Sequence, residues 1–182
     1  MILIKNVRLS YPSLFKASGM EGQEPKYNAT FLIAKDSDTA KQIEAEIERV
    51  AKEAFGDAYA NILKKQNSGD RRLLKDGDTK LTKDGDPAEG YPDHFYLKAA
   101  NKVKPRVVNR DRTELTEEDG KPYGGCYVNA QIDIWAQNNK FGKFVNVKLL
   151  AVQFWEEGTS FGGGSAVDIN AFDSAEAEDG EW

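Results

Sequence analysis

The sequence predicts a mainly β chain: a small antiparallel barrel or sandwich carrying one substantial helix. Three observations predict it. Several segments alternate apolar and polar residues with a period of two. A single stretch, ending near Phe55, places its apolar residues at helical spacing. The order is strands, helix, long polar loop, then strands separated by turns, which is not the alternation of a parallel α/β sheet.

Ile2 to Tyr11 reads as the first strand, with Val7, Leu9 and Tyr11 on one side and Asn6, Arg8 and Ser10 on the other; Pro12 is expected to end it. Lys26 to Ala34 reads as the second, with Tyr27, Ala29, Phe31 and Ile33 sharing a face. Asp36-Ser37-Asp38 then offers side-chain oxygens that can accept an orphan backbone N–H. Ile43, Ile47, Val50, Ala54 and Phe55 follow at helical spacing, and Gly56 is a natural stop, giving about five turns. A shorter helical piece is expected around Tyr59–Lys65.

Asn67 to Asp93 is polar and glycine-marked, and Lys75-Asp76-Gly77-Asp78 recurs as Lys83-Asp84-Gly85-Asp86. The aspartates lack the alternating ligands and late Glu of a calcium loop, so turn chemistry in a mobile excursion is the expectation, with no metal. Strands resume at His94–Ala100, Val103–Asn109, Cys126–Ala136 and Phe144–Trp155. Phe31, Phe95, Phe144 and Phe154 are assigned to the core.

Composition narrows the function classes. Hydrophobic residues at 40% and aromatics at 10% are too many for a fully disordered chain of 182 residues. No apolar run approaches the roughly 18 residues of a membrane span. One Cys (Cys126) and one His (His94) exclude an internal disulfide and a Cys/His-rich zinc site. The opening Met1-Ile2-Leu3-Ile4-Lys5 has no basic region or cleavage site of a signal peptide, so a reducing cytoplasm is expected.

Charge divides the chain. The formal net charge is −5, yet residues 168–182 carry −6 with no Lys or Arg, through Asp168, Asp173, Glu176, Glu178, Asp179 and Glu181. Residues 1–155 hold 25 cations against 22 acids. The expected organisation is a domain over 1–157, a Gly-rich linker over 158–167 and a disordered acidic tail over 168–182. Trp182 closes that tail. An exposed indole gains nothing for solvation, so the tail is expected either to dock on a partner protein or to shield the chain's own basic body.

Two faces point to nucleic acid. From Lys98 to Arg112, the cations Lys98, Lys102, Lys104, Arg106, Arg110 and Arg112 meet a single acid, Asp111. As a strand, Lys102, Lys104 and Arg106 would leave one face about 7 Å apart, close to the phosphate spacing of an extended nucleic-acid strand. In Cys126–Ala136 the even positions are apolar, while Tyr127 and Trp135 stand on the polar face with Asn129, Gln131 and Asp133. These two rings either lie under a loop or helix or form a platform on which bases stack. Tyr11 and Phe15, flanking Pro12, are further stacking candidates.

The order and spacing of several segments resemble a phage family. They are Val7-Arg8-Leu9-Ser10-Tyr11-Pro12-Ser13-Leu14-Phe15, Lys26-Tyr27-Asn28-Ala29-Thr30-Phe31-Leu32-Ile33, Lys104-Pro105-Arg106-Val107-Val108, Tyr123-Gly124-Gly125-Cys126-Tyr127-Val128-Asn129-Ala130 and Val152-Gln153-Phe154. Together with the acidic tail capped by Trp182, they resemble the bacteriophage single-stranded DNA-binding proteins with an OB-fold. The resemblance implies an OB-fold-like barrel of five to six antiparallel strands with one helix and a long polar excursion. It implies sequence-tolerant binding of single-stranded DNA without chemistry or cofactor, in phage replication, recombination or repair. It further implies action in the cytoplasm of the infected host, phage or host replication or recombination proteins as partners of the tail, and no membrane; a dimer or a cooperative assembly on DNA stays open.

Other classes fit less well. His94 has no nucleophile motif nearby, and Cys126 falls on the apolar face of its strand, which suits a buried, inert thiol. Phe161-Gly162-Gly163-Gly164-Ser165 lacks the Lys of a phosphate-binding loop. A nuclease needs converging carboxylates, and Asp133 alone lies within a strong strand. A strand-annealing recombination protein would share the basic groove but form rings or filaments. A virion structural module would have no use for the acidic aromatic tail.

Overall fold

The computed structural model describes residues 1–161. In chain order the elements are β1 (Ile2–Ser18), β2 (Lys26–Ala34), α1 (Asp38–Phe55), α2 (Tyr59–Asn67), β3 (Lys75–Asp76), β4 (His94–Asn101), β5 (Arg106–Val108), β6 (Tyr127–Asn139) and β7 (Gly142–Glu156). The strands follow the order β3-β4-β2-β1-β6-β7-β5. A parallel contact between β4 and β7, at Ala100 and Lys148, closes β1, β2, β4, β7 and β6 into a barrel. The remaining neighbours in that barrel pair antiparallel. The expected OB-like barrel is therefore present, with one parallel seam in place of an all-antiparallel sheet. That pattern of five strands with a parallel closing pair removes the free edges an open sheet would present.

The helix forms as its residues dictate. The Ser37 hydroxyl accepts the Ala40 N–H at 3.2 Å, a cap worth about 1 kcal/mol. Gly56, with φ 56°, ends α1 where a side chain would be strained. Ala40, Ile43, Val50 and Ala51 are buried against the barrel, and each large apolar side chain so buried contributes roughly 1.5–3 kcal/mol. The α1 helix contacts β6, and the barrel interior beneath is filled by Ile4, Leu9, Phe31, Leu97, Val128, Ile132, Leu149 and Val152. Cys126 is fully buried there, and burial pushes its thiol up to about 11, so it stays protonated and inert. Phe31 and Phe154 are core residues and Phe95 packs at the core's edge. Phe144 instead lies half-buried outside the core, 3.9 Å beneath the Arg71 guanidinium.

Several expectations are corrected. Pro12 does not end β1, because the strand absorbs it at a register shift between Ser10 and Ser13 and runs on to Ser18. Tyr11 takes φ 45° in that irregularity, so it leaves the face of Val7 and Leu9 and stands 72% exposed. The stretch after β4 is not one strand over Val103–Asn109. Only Arg106–Val108 is strand; β5 runs parallel beside β7 from Ala151 to Gln153, beyond the Ala100–Lys148 contact of β4.

The 67–93 excursion folds back on the barrel. Its β3 pairs with β4, Lys75 opposite Tyr96, and Leu74, Ala88 and Tyr91 are buried. Lys35 pins it, with Nζ 2.7 Å from Asp76 and 2.6 Å from Asp78. Of the aspartates read as turn formers, Asp76 and Asp78 thus also act as anchors, while Asp76 still accepts the Asp78 N–H in a turn at 2.9 Å. Gly77 fits under the Tyr91 and His94 carbonyl oxygens, where a Cβ would overlap both.

The chain also stays on the domain past residue 157. The Phe161 N–H donates to the Gly124 carbonyl at 2.9 Å, and the Tyr123 hydroxyl donates to the Gly158 carbonyl at 3.0 Å. Arg8 donates to the Thr159 carbonyl at 2.8 Å and lies 4.1 Å from the Phe161 ring. Residues 158–161, assigned above to the linker, are therefore a packed strap. The rest of the linker and the whole acidic tail, Asp168 to Trp182, lie outside the described residues.

Candidate nucleic-acid interface

The outer side of β1, β2 and β4 is concave. Registers align Ser10, Thr30 and Lys98 across the three strands, and Ser13, Asn28 and Ala100 beside them. Alternation turns Ala29, Phe31, Leu97 and Ala99 inward and these polar and small residues to the other face, where Lys98 is exposed while Ser10 and Thr30 are covered. Two adjoining cavities cover this surface. One, of about 440 Å³, runs from Tyr11, Asn28 and Lys98 past Tyr96 to Arg71, Arg72, Lys75 and Lys80. The other, of about 910 Å³, shares Tyr11, Asn28 and Lys98 and continues to Met20, Lys26 and Lys102. Together they form a groove across the barrel, walled by the 67–93 excursion on one side and the β1–β2 loop on the other.

The groove carries rings and cations side by side. Tyr11 projects from the β1 irregularity. Tyr96 is braced from behind by Tyr91, ring centroids 5.3 Å apart at 63°. Tyr91 is 2% exposed and its hydroxyl is within 2.9 Å of the Ser10 hydroxyl, which fixes the support; burial raises its pKa, so it remains a neutral phenol. Lys80 lies 5.9 Å from the Tyr96 ring. The acids on the lining are Asp70 and Glu24, and Glu24 is paired with Lys102 at 2.7 Å. Such a surface offers ring faces for bases and mobile cations for phosphates.

With that geometry in view, the comparisons with known proteins are specific. A family model described as "Enterobacter phage Enc34, ssDNA-binding protein" matches residues 1–182. The chain belongs to this family. It is 37% identical over 176 residues to protein p50 of Acyrthosiphon pisum secondary endosymbiont phage 1, covering 94% of this chain and 92% of that one. Among solved structures it is similar to the single-stranded DNA-binding protein of bacteriophage Enc34 in complex with ssDNA, at 33% identity, TM-score 0.70 and 88% of each chain. It shares its fold, at 15% identity and TM-score 0.52 over 96% of each chain, with gp2.5 of bacteriophage T7, a single-stranded DNA-binding protein.

Of the residues singled out in the sequence, the groove gathers Tyr11, Lys98 and Lys102. The others are elsewhere. The single-face row of Lys102, Lys104 and Arg106 does not exist, because Lys102–Pro105 is not strand. Lys104 sits 5.8 Å from the ring of Phe15, which packs against the core. Arg106 is ion-paired with Glu114. Arg110 lies 4.4 Å from the Trp155 ring, and Arg112, at φ 71°, occupies a tight turn. Tyr127 lies 5.9 Å from the Arg8 guanidinium and beside the strap at Gly158. Trp135 is 39% exposed on the far side of the barrel, with Lys148 at 5.9 Å from its ring.

Tyr96, Arg71, Arg72, Lys75 and Lys80 escaped the sequence reading. Tyr96 shares the parity of Lys98 in the strand already assigned, which is the signal that could have found it. The four cations sit in the excursion taken for mobile turns. His94 has its Nδ1 2.8 Å from the Pro92 carbonyl oxygen. Among the described residues no group of three or more His, Cys, Asp or Glu could hold a metal, and no helix is long and apolar enough to cross a membrane.

Proposed function

We infer that this chain binds single-stranded DNA without chemistry and with little sequence preference, laying it along the β1–β2–β4 groove. The observation that carries this is the groove itself. Tyr11 and Tyr96 offer ring faces, and Lys26, Lys75, Lys80, Lys98, Arg71 and Arg72 line the path. The family's printed activity and the related complex with ssDNA support the same ligand. In this reading the protein covers DNA intermediates of phage replication, recombination or repair in the cytoplasm of the infected bacterium.

The tail is the second part of the proposal. Its −6 charge is tethered to a body rich in cations, at an effective concentration of order millimolar for a short flexible linker. Phe161 packs against Leu32, Ala88 and Tyr91, and Tyr91 also lines the groove, so the described chain leaves off at the groove's edge. The tail competes with phosphates when DNA is absent, and is released to recruit a replication or recombination protein when DNA is bound.

Anisotropy titrations of labelled oligo-dT and duplex across a salt series test both parts. The full chain should bind oligo-dT with affinity that falls as salt rises, by a log–log slope of roughly 0.7 per neutralised phosphate. Lys98→Glu should lower affinity and slope together; an unchanged titration would remove the groove from the binding path. Deleting Asp168–Trp182 should tighten binding at low salt and lose that gain at high salt. Equal affinity of the two chains at low salt would exclude competition by the tail.

A further inference from the structure

Leu32, Ala88 and Tyr91 form a small apolar cluster apart from the main core, and two half-buried rings pack against it. Tyr96 does so from the groove, whose lining it shares with Tyr91. Phe161 does so from the end of the strap and lies outside the groove lining. The tip of its ring occupies the space that a Cβ on Gly90 would take. A cluster of three residues has little interior of its own, so its covering rings keep it dry and fixed. Tyr91 is the member that matters for the groove, because its ring braces Tyr96 at 5.3 Å between centroids.

Phe161 is itself clamped. Its N–H donates to the Gly124 carbonyl, and the Arg8 guanidinium lies 4.1 Å from its ring. Arg8 ties strap to barrel with two donors, Nε to the Gly125 carbonyl at 3.0 Å and Nη2 to the Thr159 carbonyl at 2.8 Å. The Tyr123 hydroxyl accepts the Gly158 N–H at 3.2 Å and donates to the Gly158 carbonyl. Arg8, Tyr123, Thr159 and Phe161 are all absent from the groove lining. A line of contacts therefore runs from Arg8 through Phe161 and Tyr91 to the ring of Tyr96.

We propose that Phe161 is a positioning residue for DNA binding: clamped by Arg8, it holds Tyr91 in place and so presents the Tyr96 ring to a base. This rests on the reading of the β1–β2–β4 groove as the DNA path, with a base stacked on Tyr96. The two kinds of groove contact respond differently when the brace loosens. A lysine on a flexible four-carbon stem follows a phosphate. A ring must meet the base face to face, so displacement of Tyr91 costs stacking first. Loss of Phe161 therefore weakens the part of binding that depends on bases and spares the part that depends on phosphates.

The test titrates full-length protein against labelled oligo-dT and against an abasic oligonucleotide of the same length. Phe161→Ala should weaken oligo-dT binding roughly three- to five-fold, up to the low end of what one stacked base contributes. Its salt slope and its affinity for the abasic strand should stay as in the unaltered chain. In a Tyr96→Ala background the same change should cost nothing more, since the two residues act through one contact. Arg8→Lys keeps the charge and Phe161 but loses the second donor. It should show the same pattern to a smaller degree, and it carries the test even if Phe161→Ala does not fold. Ser37→Ala removes the α1 cap far from the strap, and should lower the melting temperature with oligo-dT affinity unchanged. An equal loss on both oligonucleotides, a loss that persists without Tyr96, or full oligo-dT affinity in both Phe161→Ala and Arg8→Lys would overturn the positioning role. Full oligo-dT affinity in Tyr96→Ala would instead overturn the groove reading itself, whatever Phe161 does.

Discussion

Two outer faces of the same barrel carry aromatic rings beside lysines, and their surroundings differ. On β1, β2 and β4, Tyr11, Tyr96 and Lys98 lie at the floor of a groove walled by the 67–93 excursion and the β1–β2 loop. On β6 and β7, Trp135 stands outside that groove, with Lys148 near its ring and Asp133 opposite that lysine in register. Alternation along a strand puts a ring outside; the neighbouring segments decide whether that ring faces a channel or a plain surface. A channel matters for a polyanion because walls bring cations from several elements to one path.

Breaking the groove face should have the largest effect. Tyr11→Ala and Tyr96→Ala should each weaken oligo-dT binding by about 1–3 kcal/mol if one base stacks on each ring, measured by titration at fixed salt. Gly77→Ala attacks the wall, since its Cβ would overlap the Tyr91 and His94 carbonyls. Overpacking of this kind typically costs about 1–3 kcal/mol, read as a lowered melting temperature accompanied by weaker DNA binding. On the opposite face Trp135→Ala should change affinity by less than about 0.5 kcal/mol, as for a surface change away from the site. A loss as large as that of Tyr96→Ala would erase the distinction between the two faces.

The smallest expected effect concerns how the wall is pinned. Hydrogen bonds from Lys35 hold the Asp76 and Asp78 carboxyls below their ordinary range. Carboxylates depressed in this way stabilise the fold above their unfolded pKa of about 4, and the contribution is lost as pH falls through the folded values. Thermal melts of the protein and of Lys35→Gln should differ by a constant amount between pH 7 and 5 and converge toward pH 3. The exposed, water-screened setting keeps the difference small.

The barrel and α1 were readable because each obeys a local rule. Alternation marked Val128, Ala130, Ile132 and Ile134 as inward, and helical spacing marked Ile43 and Val50. The groove was only partly readable, because its parts meet through the 67–93 wall and the sheet register, and neither has a sequence period. Tyr11 was found as an aromatic beside Pro12, but its exposure comes from a positive φ inside a bulge. The basic run Lys102–Arg112 did not show its spatial arrangement for the opposite reason. It is dense in the sequence, yet a break at Lys102–Pro105 and local partners such as Glu114 and Trp155 scatter it in space.

Photo-cross-linking of the full-length protein to an iodouracil-substituted oligo-dT, with the attachment sites read by mass spectrometry, distinguishes the two faces in one measurement. The chemistry attaches to stacked aromatic side chains, so the two tyrosines and the tryptophan compete on equal terms. Attachment at Tyr11 and Tyr96, with Trp135 unmodified, is the expected result. Attachment at Trp135 with Tyr11 and Tyr96 untouched would contradict the assignment of DNA to the β1–β2–β4 groove.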